Sequence, residues 1–469
     1  MSLPLIRSRT ALQGLRSRSA PSKPAHPRIP RRHASTTTSA PANRLRLFAY
    51  SSATLLATFA GYIYLTDTRS AFHHYLVPPL LRSLVPDAED AHHLGTAALQ
   101  TLYNLGLHPR ERARLRRDPA EPDLSTEVFE TTLDNPIGIS AGLDKDAEIP
   151  DALFAMGAGV VEVGGCTPKP QPGNPRPRVW RVPSIDGMVN CYGLNSQGAD
   201  AMAQTLRQRL RVYARSRGLS EEDVLNGKAG VPAGSLLPGR LLLVQVAKNK
   251  DTPEQDAVSD YAYCASRLAR YADVVVVNVS SPNTAGLRDL QSGDKLVGLL
   301  GAVVNSVRAS TKGVRATPPR VMVKVSPDED SDAQVKDIVR AVWESGVDGV
   351  IVGNTTRRKL QAVPADVPIT NREKAILAQA DGGFSGPSMY GRTLELVKRY
   401  RHWLDVPTFK ERKVVFATGG ITDGRQALEM RKAGADVAMV YTGLVYGGAG
   451  TVTRMKDEMR REITEGREK

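Results

Sequence analysis

Cysteine is scarce in this chain of 469 residues: Cys166, Cys191 and Cys264 are an odd number with no C-x-x-C spacing. They can build neither a disulfide framework nor a thiolate zinc site, and free thiols in a reducing setting follow. Acidic residues are absent from the first 66 positions, which hold ten Lys/Arg, so the net charge of +14 leaves only +4 for everything after them. A nucleic-acid partner would need a basic body, and that reading loses its support. With 41% apolar and 24% charged residues, a wholly disordered, collagen-like or polytopic membrane protein is also excluded.

What is present at the N-terminus is segmental. Residues 1–46, rich in Arg, Ser and Ala, have the composition of a mitochondrial transit leader. Residues 47–66 carry no charge and are long enough for a bilayer-spanning helix, although Ser51, Ser52, Thr54 and Thr58 dilute them. The leader arginines predict a matrix-side N-terminus, leaving the body on the intermembrane-space side of the inner membrane. Residues 67–118 form a third region. Phe72, Leu76, Leu80 and Leu84, then Ala91, Leu94, Ala98, Leu102 and Leu105, recur at helical spacing, and Val85-Pro86-Asp87 stops one helix and caps the next. This predicts a helical hairpin whose apolar face must meet protein, lipid or a lipid-like ligand.

Residues 119–469 repeat strand and helix. Eight short apolar runs, at 137–139, 160–163, 241–244, 274–277, 321–323, 349–352, 414–416 and 437–440, alternate with helix-like stretches such as Ser331–Ser345 and Gly424–Ala433. Runs of this kind are buried parallel strands, and eight of them predict an α/β fold of the TIM (β/α)8 barrel type. Residues 214–240 and 358–383, polar and Gly/Pro-bearing, read as surface insertions.

The residues after the runs carry chemistry: Ser140 to Lys145, Asn278 to Thr284, Lys324, Asn354 to Thr356, Thr418 to Gly420, and Tyr441 to Gly443. Barrel enzymes place their sites at this end of the strands. Glycines there, with helix N-termini at Thr422-Asp423 and near Ser385-Gly386, predict a phosphate cradle. A sugar phosphate and flavin mononucleotide (FMN) both qualify, and the asparagines favour FMN because they suit a planar ring with carbonyl and N–H groups. Each feature also has an ordinary structural reading as turn, cap or solvated lysine, but six strand ends of eight exceed what turn chemistry explains. No metal-ligand set is apparent.

The segment Asn278-Val-Ser-Ser-Pro-Asn-Thr-Ala-Gly-Leu-Arg288 resembles the dihydroorotate dehydrogenases, specifically the membrane-bound, quinone-linked class 2 enzymes of mitochondria. Asn135-Pro-Ile-Gly138, Ala141-Gly-Leu-Asp-Lys145, Thr167-Pro-Lys-Pro-Gln171, Gly173-Asn-Pro-Arg-Pro-Arg178, Tyr192-Gly-Leu-Asn-Ser196 and Gly383-Phe-Ser-Gly386 resemble that family too. The resemblance implies FMN-dependent oxidation of dihydroorotate to orotate in pyrimidine synthesis, with ubiquinone as final acceptor. It implies Ser281 as the catalytic base and Lys145, Asn190, Asn278, Asn283, Asn354 and Thr355 as substrate ligands. FMN would be held by Ala141, Gly142, Lys145, Gly165, Asn190, Gln245, Asn278, Lys324, Gly353, Ser385, Gly386, Gly420, Tyr441 and Thr442. Arg181 and Tyr441, with Phe72 and Leu76 on the hairpin, would form the quinone site. Four positions depart from the family pattern: Gly165 stands for serine, Gln245 for asparagine, Gly353 for threonine and Cys191 for arginine. Another flavin barrel oxidoreductase and a tethered non-catalytic barrel are the competing readings.

Overall fold

The computed structural model describes residues 40–113, 121–284, 287–291, 293–406 and 411–467. The leader expected at 1–46 falls mainly on residues outside these. The chain divides into two compact units, residues 1–58 and 59–469.

Eight strands close into one parallel barrel in sequence order: β1 (Ile137–Ile139), β2 (Val160–Cys166), β3 (Leu241–Val246), β4 (Val274–Asn278), β5 (Arg320–Val325), β6 (Gly349–Val352), β7 (Val414–Thr418) and β8 (Val437–Val440). These are the eight predicted runs. Each is continuous in apolar residues because both faces are buried. Val160, Leu241, Leu243, Val274, Val276, Met322, Ile351, Phe416 and Met439 fill the barrel interior. Their alternate neighbours, such as Val161, Leu242, Val244, Val275, Val277 and Val323, pack against the helices. A hairpin of Thr126–Val128 and Thr131–Leu133 plugs the base, placing Val128 and Leu133 in the inner cluster.

The same alternation sets the layer above the apolar fill. Stepping two residues from Val160, Leu243, Val276 and Met322 gives Glu162, Gln245, Asn278 and Lys324, all buried, and Asn278 is paired in register with Lys324. These polar side chains, with Thr418 two residues beyond Phe416, crown the interior at the C-terminal mouth.

The two expected surface insertions are structural. Val224, Leu225, Ala233 and Leu236 belong to the main core. The second excursion carries a helix, Asn371–Gln379, whose Leu377 is buried, and leads into Gly383–Ser385. That strand pairs with Gly187–Asn190, which pairs with Val179–Val182, in an antiparallel sheet that brings Asn190 and Ser385 to the mouth.

Three N-terminal helices are α1 (Ala40–Thr66), α2 (Val77–Leu84) and α3 (Ala88–Asn104). The predicted span at 47–66 is helical, but no helix among the described residues is long and apolar enough to cross a membrane. Arg44 and Arg46 lie within α1, and Ser51, Ser52, Thr54 and Thr58 dilute the apolar remainder of the helix. Asp87 caps α3 as predicted, accepting from the N–H groups of Glu89 and Asp90. A π-helical turn, Phe72–Leu76, precedes α2, so Phe72 does not continue the α-helical stripe of Leu76, Leu80 and Leu84. The hairpin is oriented opposite to a simple core-covering pattern. Leu80, Leu84, Leu94, Ala98, Leu102 and Leu105 are exposed, whereas Ala88, Glu89 and Ala91 are buried.

Candidate active site

A cavity opens at the barrel mouth. Its wall includes Ala141, Gly142, Lys145, Gly165, Asn190, Gln245, Asn278, Ser281, Asn283, Lys324, Asn354, Thr355, Ser385, Gly386, Gly420, Tyr441 and Thr442. Of the residues expected at the site, Gly353, Arg181, Phe72 and Leu76 do not line it. Gly353 has φ +110°, and a Cβ there would stand 1.9 Å from the Thr418 carbonyl oxygen. Glycine at 353 is thus a packing requirement between β6 and β7, not a cavity contact.

The substrate-side amides are held in a directed network. Asn278 Oδ1 accepts from Ser280 N–H at 3.0 Å and Ser280 Oγ at 2.9 Å, so its Nδ2 must point the other way, to Gln245 Oε1 at 2.8 Å. Asn354 Nδ2 donates to Ser280 Oγ at 2.7 Å. Asn283 Nδ2 donates to Asn190 Oδ1 at 3.2 Å, and Asn283 Oδ1 is buried with no hydrogen-bond partner among the described residues. Ser281 Oγ accepts from Asn283 N–H at 3.3 Å. Arg288 fixes the base of this loop, donating to the Ser280 carbonyl at 3.1 Å, the Thr355 carbonyl at 3.1 Å and Asp328 at 2.8 Å.

Lys145 faces the cavity from the loop after β1. Its Nζ donates to Asn195 Oδ1 at 2.8 Å and stands 3.6 Å from the Tyr192 ring centroid. Desolvation, assisted by the Arg178 guanidinium, brings its pKa down to about 7. Tyr192 also lies 5.3 Å from the Arg178 guanidinium carbon. At the opposite side Lys324 Nζ pairs with Glu162 Oε2 at 2.7 Å.

The expected phosphate cradle changes in detail. Two N-terminal amides of the helix Gly424–Lys432 are already committed: Asp423 accepts from Gln426 N–H and Glu458 from Gly424 N–H. Near Ser385-Gly386 the next residue is Pro387, which has no N–H. The turns Gly419–Thr422 and Tyr441–Gly443 are the glycine-bearing walls that remain. Gly142, at φ +107°, closes on the Tyr441 ring, 3.3 Å from where a Cβ would sit.

Several residues at or beside the site were not singled out from the sequence. Glu162 has a visible signal, a lone carboxylate inside an apolar strand. Glu89 and His92 of α3 have none beyond standing three residues apart, one helical turn, on the same helix face. Glu89 is buried against Arg178 at 2.7 Å, and His92 Nε2 donates to the Leu143 carbonyl at 2.8 Å while its Nδ1 accepts from Tyr192 Oη at 3.2 Å. Burial holds His92 neutral, lowering its pKa to about 4. The hairpin is therefore tied to the loops that carry Lys145 and Tyr192. Arg181 lies at the hairpin turn, donating to the Pro86 carbonyl at 2.8 Å. Tyr441 packs in one apolar cluster with Ala88, Val179, Met188 and Tyr192, and burial pushes its phenol up to about 12.

The donor set fits FMN: a buried cation, amides held in place by their neighbours, and glycine turns where the phosphate would lie. The unpartnered Asn283 Oδ1 fits a ligand bearing ring N–H groups.

Residues 123–463 match the family model for dihydroorotate dehydrogenase. The mitochondrial dihydroorotate dehydrogenase (quinone) of Lachancea kluyveri is 38% identical over 420 residues, covering 88% of this chain and 87% of its own. The dihydroorotate dehydrogenase (quinone) of Neisseria meningitidis is 35% identical over 378 residues, 80% of this chain and 97% of its own. Among solved structures, the DHODH of Eimeria tenella in complex with ferulenol superposes with a TM-score of 0.67 at 31% identity, covering 82% of this chain and 95% of that one. With most of its length matched and the site assembled on the expected strand ends, the chain belongs to the dihydroorotate dehydrogenase family.

Proposed function

We infer that this protein oxidises dihydroorotate to orotate with FMN and passes the electrons to a quinone, in mitochondria. The observation that carries this reading is the convergence of Lys145, Asn190, Ser281, Asn283 and Thr355 on one cavity that also exposes Lys324. Lys145 binds the substrate carboxylate, and Asn190, Asn283 and Thr355 hold the ring amides. Asn278 and Asn354, whose hydrogen bonds are largely spent on their neighbours, shape the floor. Ser281 Oγ would accept the C5 proton as its own hydroxyl proton is released to water, while Asn283 N–H donates to that oxygen. When bound, FMN supplies the acceptor for the hydride leaving C6 and the electron route to quinone. Lys324, which lines the cavity, would supply positive charge to the flavin pyrimidine ring.

The quinone approaches along the hairpin. Its exposed leucines, with the apolar cluster linking Ala88 to Tyr441, support a passage from lipid to the cavity wall. Phe72 and Leu76 belong to the outer part of that passage and Arg181 and Tyr441 to its inner end. We assign the attachment of α1 and the hairpin to the inner-membrane surface, where exposed apolar side chains bury into the head-group boundary without crossing it.

The test is spectroscopic. The purified protein is expected to be yellow, to bleach anaerobically on addition of dihydroorotate, and to recover its colour with a short-chain ubiquinone. A colourless protein, or a yellow one that dihydroorotate leaves unbleached, overturns the reading.

A further inference from the structure

The crown of the barrel interior contains a carboxylate that the reaction itself does not use. Glu162 is fully buried on β2, and its hydrogen-bond partners among the described residues are all donors. Its Oε2 accepts from Lys324 Nζ at 2.7 Å and from Ala141 N–H at 2.9 Å; its Oε1 accepts from Gln245 Nε2 at 2.7 Å. The direction of this chain is forced from its far end. Ser280 fixes Asn278 Oδ1, so Asn278 offers Nδ2; Gln245 must answer with Oε1, and its Nε2 then requires an acceptor. Position 165 makes room for this arrangement. A Cβ there would come within 2.9 Å of Gln245 Oε1, so the missing side chain at 165 lets Gln245 span from Glu162 to Asn278.

We propose that Glu162 is a positioning residue for Lys324: it holds the ammonium at the cavity floor and partly neutralises the positive charge that Lys324 presents to the flavin. The proposal rests on the reading that the flavin pyrimidine ring lies against Lys324. A buried ammonium paired with a carboxylate projects less field than a free one, so the pair attenuates the preference of the site for the reduced, more negative flavin. Ala141 N–H and Gln245 keep the carboxylate in place, so the attenuation is set by geometry and not by a mobile counter-ion.

The experiment is a potentiometric titration of the flavin in the holoenzyme, together with dissociation constants of the apoprotein for oxidised and reduced FMN. Glu162→Gln is expected to raise the ratio of reduced to oxidised flavin affinity about tenfold, which is about 30 mV for a two-electron couple. Glu162→Asp, which withdraws the carboxylate from Lys324 by one methylene, is expected to shift the potential the same way by less. A purely structural role weakens both flavin states equally and leaves the potential at the wild-type value, and that result overturns the proposal. Should Glu162→Gln not retain flavin, the Glu162→Asp potential decides by the same criterion. Lys324→Gln separates the two levels of inference and is expected to lower the potential. An unchanged value there removes the flavin from Lys324 and takes the site reading down with the proposal, whereas a lowered value with unmoved Glu162 variants overturns only the proposal.

Discussion

Three side chains at the mouth make the reading quantitative. A serine hydroxyl is a weak base, so Ser281→Ala is expected to retain FMN and lose most dihydroorotate oxidation at neutral pH, about 100-fold or more, if the hydroxyl acts as the base. Near-wild-type turnover at saturating substrate would remove that role. Lys145 is depressed to about pKa 7, so it is charged below that pH and loses its proton above it. An anionic substrate restores the charge on binding, so the orotate dissociation constant should rise toward about tenfold per unit above pH 7, with proton uptake in calorimetry. A flat profile between pH 6 and 8.5 would contradict it. Gly165 and Gln245 form one steric unit: Gly165→Ala presses on Gln245 Oε1 and, at 3.2 Å, on Leu194 Cδ2, at a cost of about 1–3 kcal/mol. Shortening Gln245 to Asn relieves the contact but cannot bridge Glu162 and Asn278. Denaturant unfolding of the four-member cycle should therefore show the double variant less destabilised than the sum of the singles, with coupling of about 0.5–3 kcal/mol.

At the scale of elements, the eight strands were legible because burial on both faces writes them as unbroken apolar runs, and the strand-end amides were legible because loops expose their chemistry in linear order. The buried crown was harder. Glu162, Gln245 and Lys324 come from three strands, and only barrel closure brings them together. The two helices of the hairpin are written in its apolar spacing, which leaves the leucine face open to protein, lipid or a lipid-like ligand, whereas the ion pair that docks the hairpin joins residues far apart in sequence and is not legible there. Glu89 meets Arg178 inside the protein, and the leucine stripe turns outward. Deleting the whole hairpin would strip that partner from Arg178 and mix two effects. Leu80→Glu with Leu84→Glu touches side chains 47% and 71% exposed, so thermal stability should stay within about 1 °C to 3 °C of the wild type. Reduction of a long-chain quinone in vesicles should fall at least tenfold while a water-soluble dye accepts electrons at the normal rate. Equal loss with both acceptors would place the effect on the fold and not on the quinone route.

For the molecule as a whole, the question is which part of the N-terminal region belongs to the enzyme and which to its address. The sequence boundary at residue 66 cuts too far in. Tyr62 Oη donates to the Gly106 carbonyl at 3.2 Å, the Thr66 carbonyl accepts from Arg110 N–H at 2.8 Å, and Thr66 Oγ1 accepts from Arg112 at 2.6 Å. Asp67 then pairs with Arg69, and Thr68 Oγ1 meets Thr453 Oγ1 at 2.8 Å on the final helix. These contacts stitch the end of α1 to the segment after α3 and to the C-terminus, so residues from Phe59 onward are part of the catalytic unit, in agreement with the division after Thr58. Removing residues 2–58 also removes ten cations and no acid, which leaves a nearly neutral body. The expected product is a flavoprotein with wild-type dihydroorotate–dye activity and melting temperature that no longer sediments with vesicles of mitochondrial lipid composition as tightly as the full chain. Removing residues 2–68 instead should lower the melting temperature by several degrees, because the Thr66 and Thr68 contacts go with it, each worth about 1 kcal/mol. Equal melting temperatures for the two truncations would show that these contacts contribute nothing, and loss of flavin from the shorter deletion would assign the first unit to the core of the enzyme.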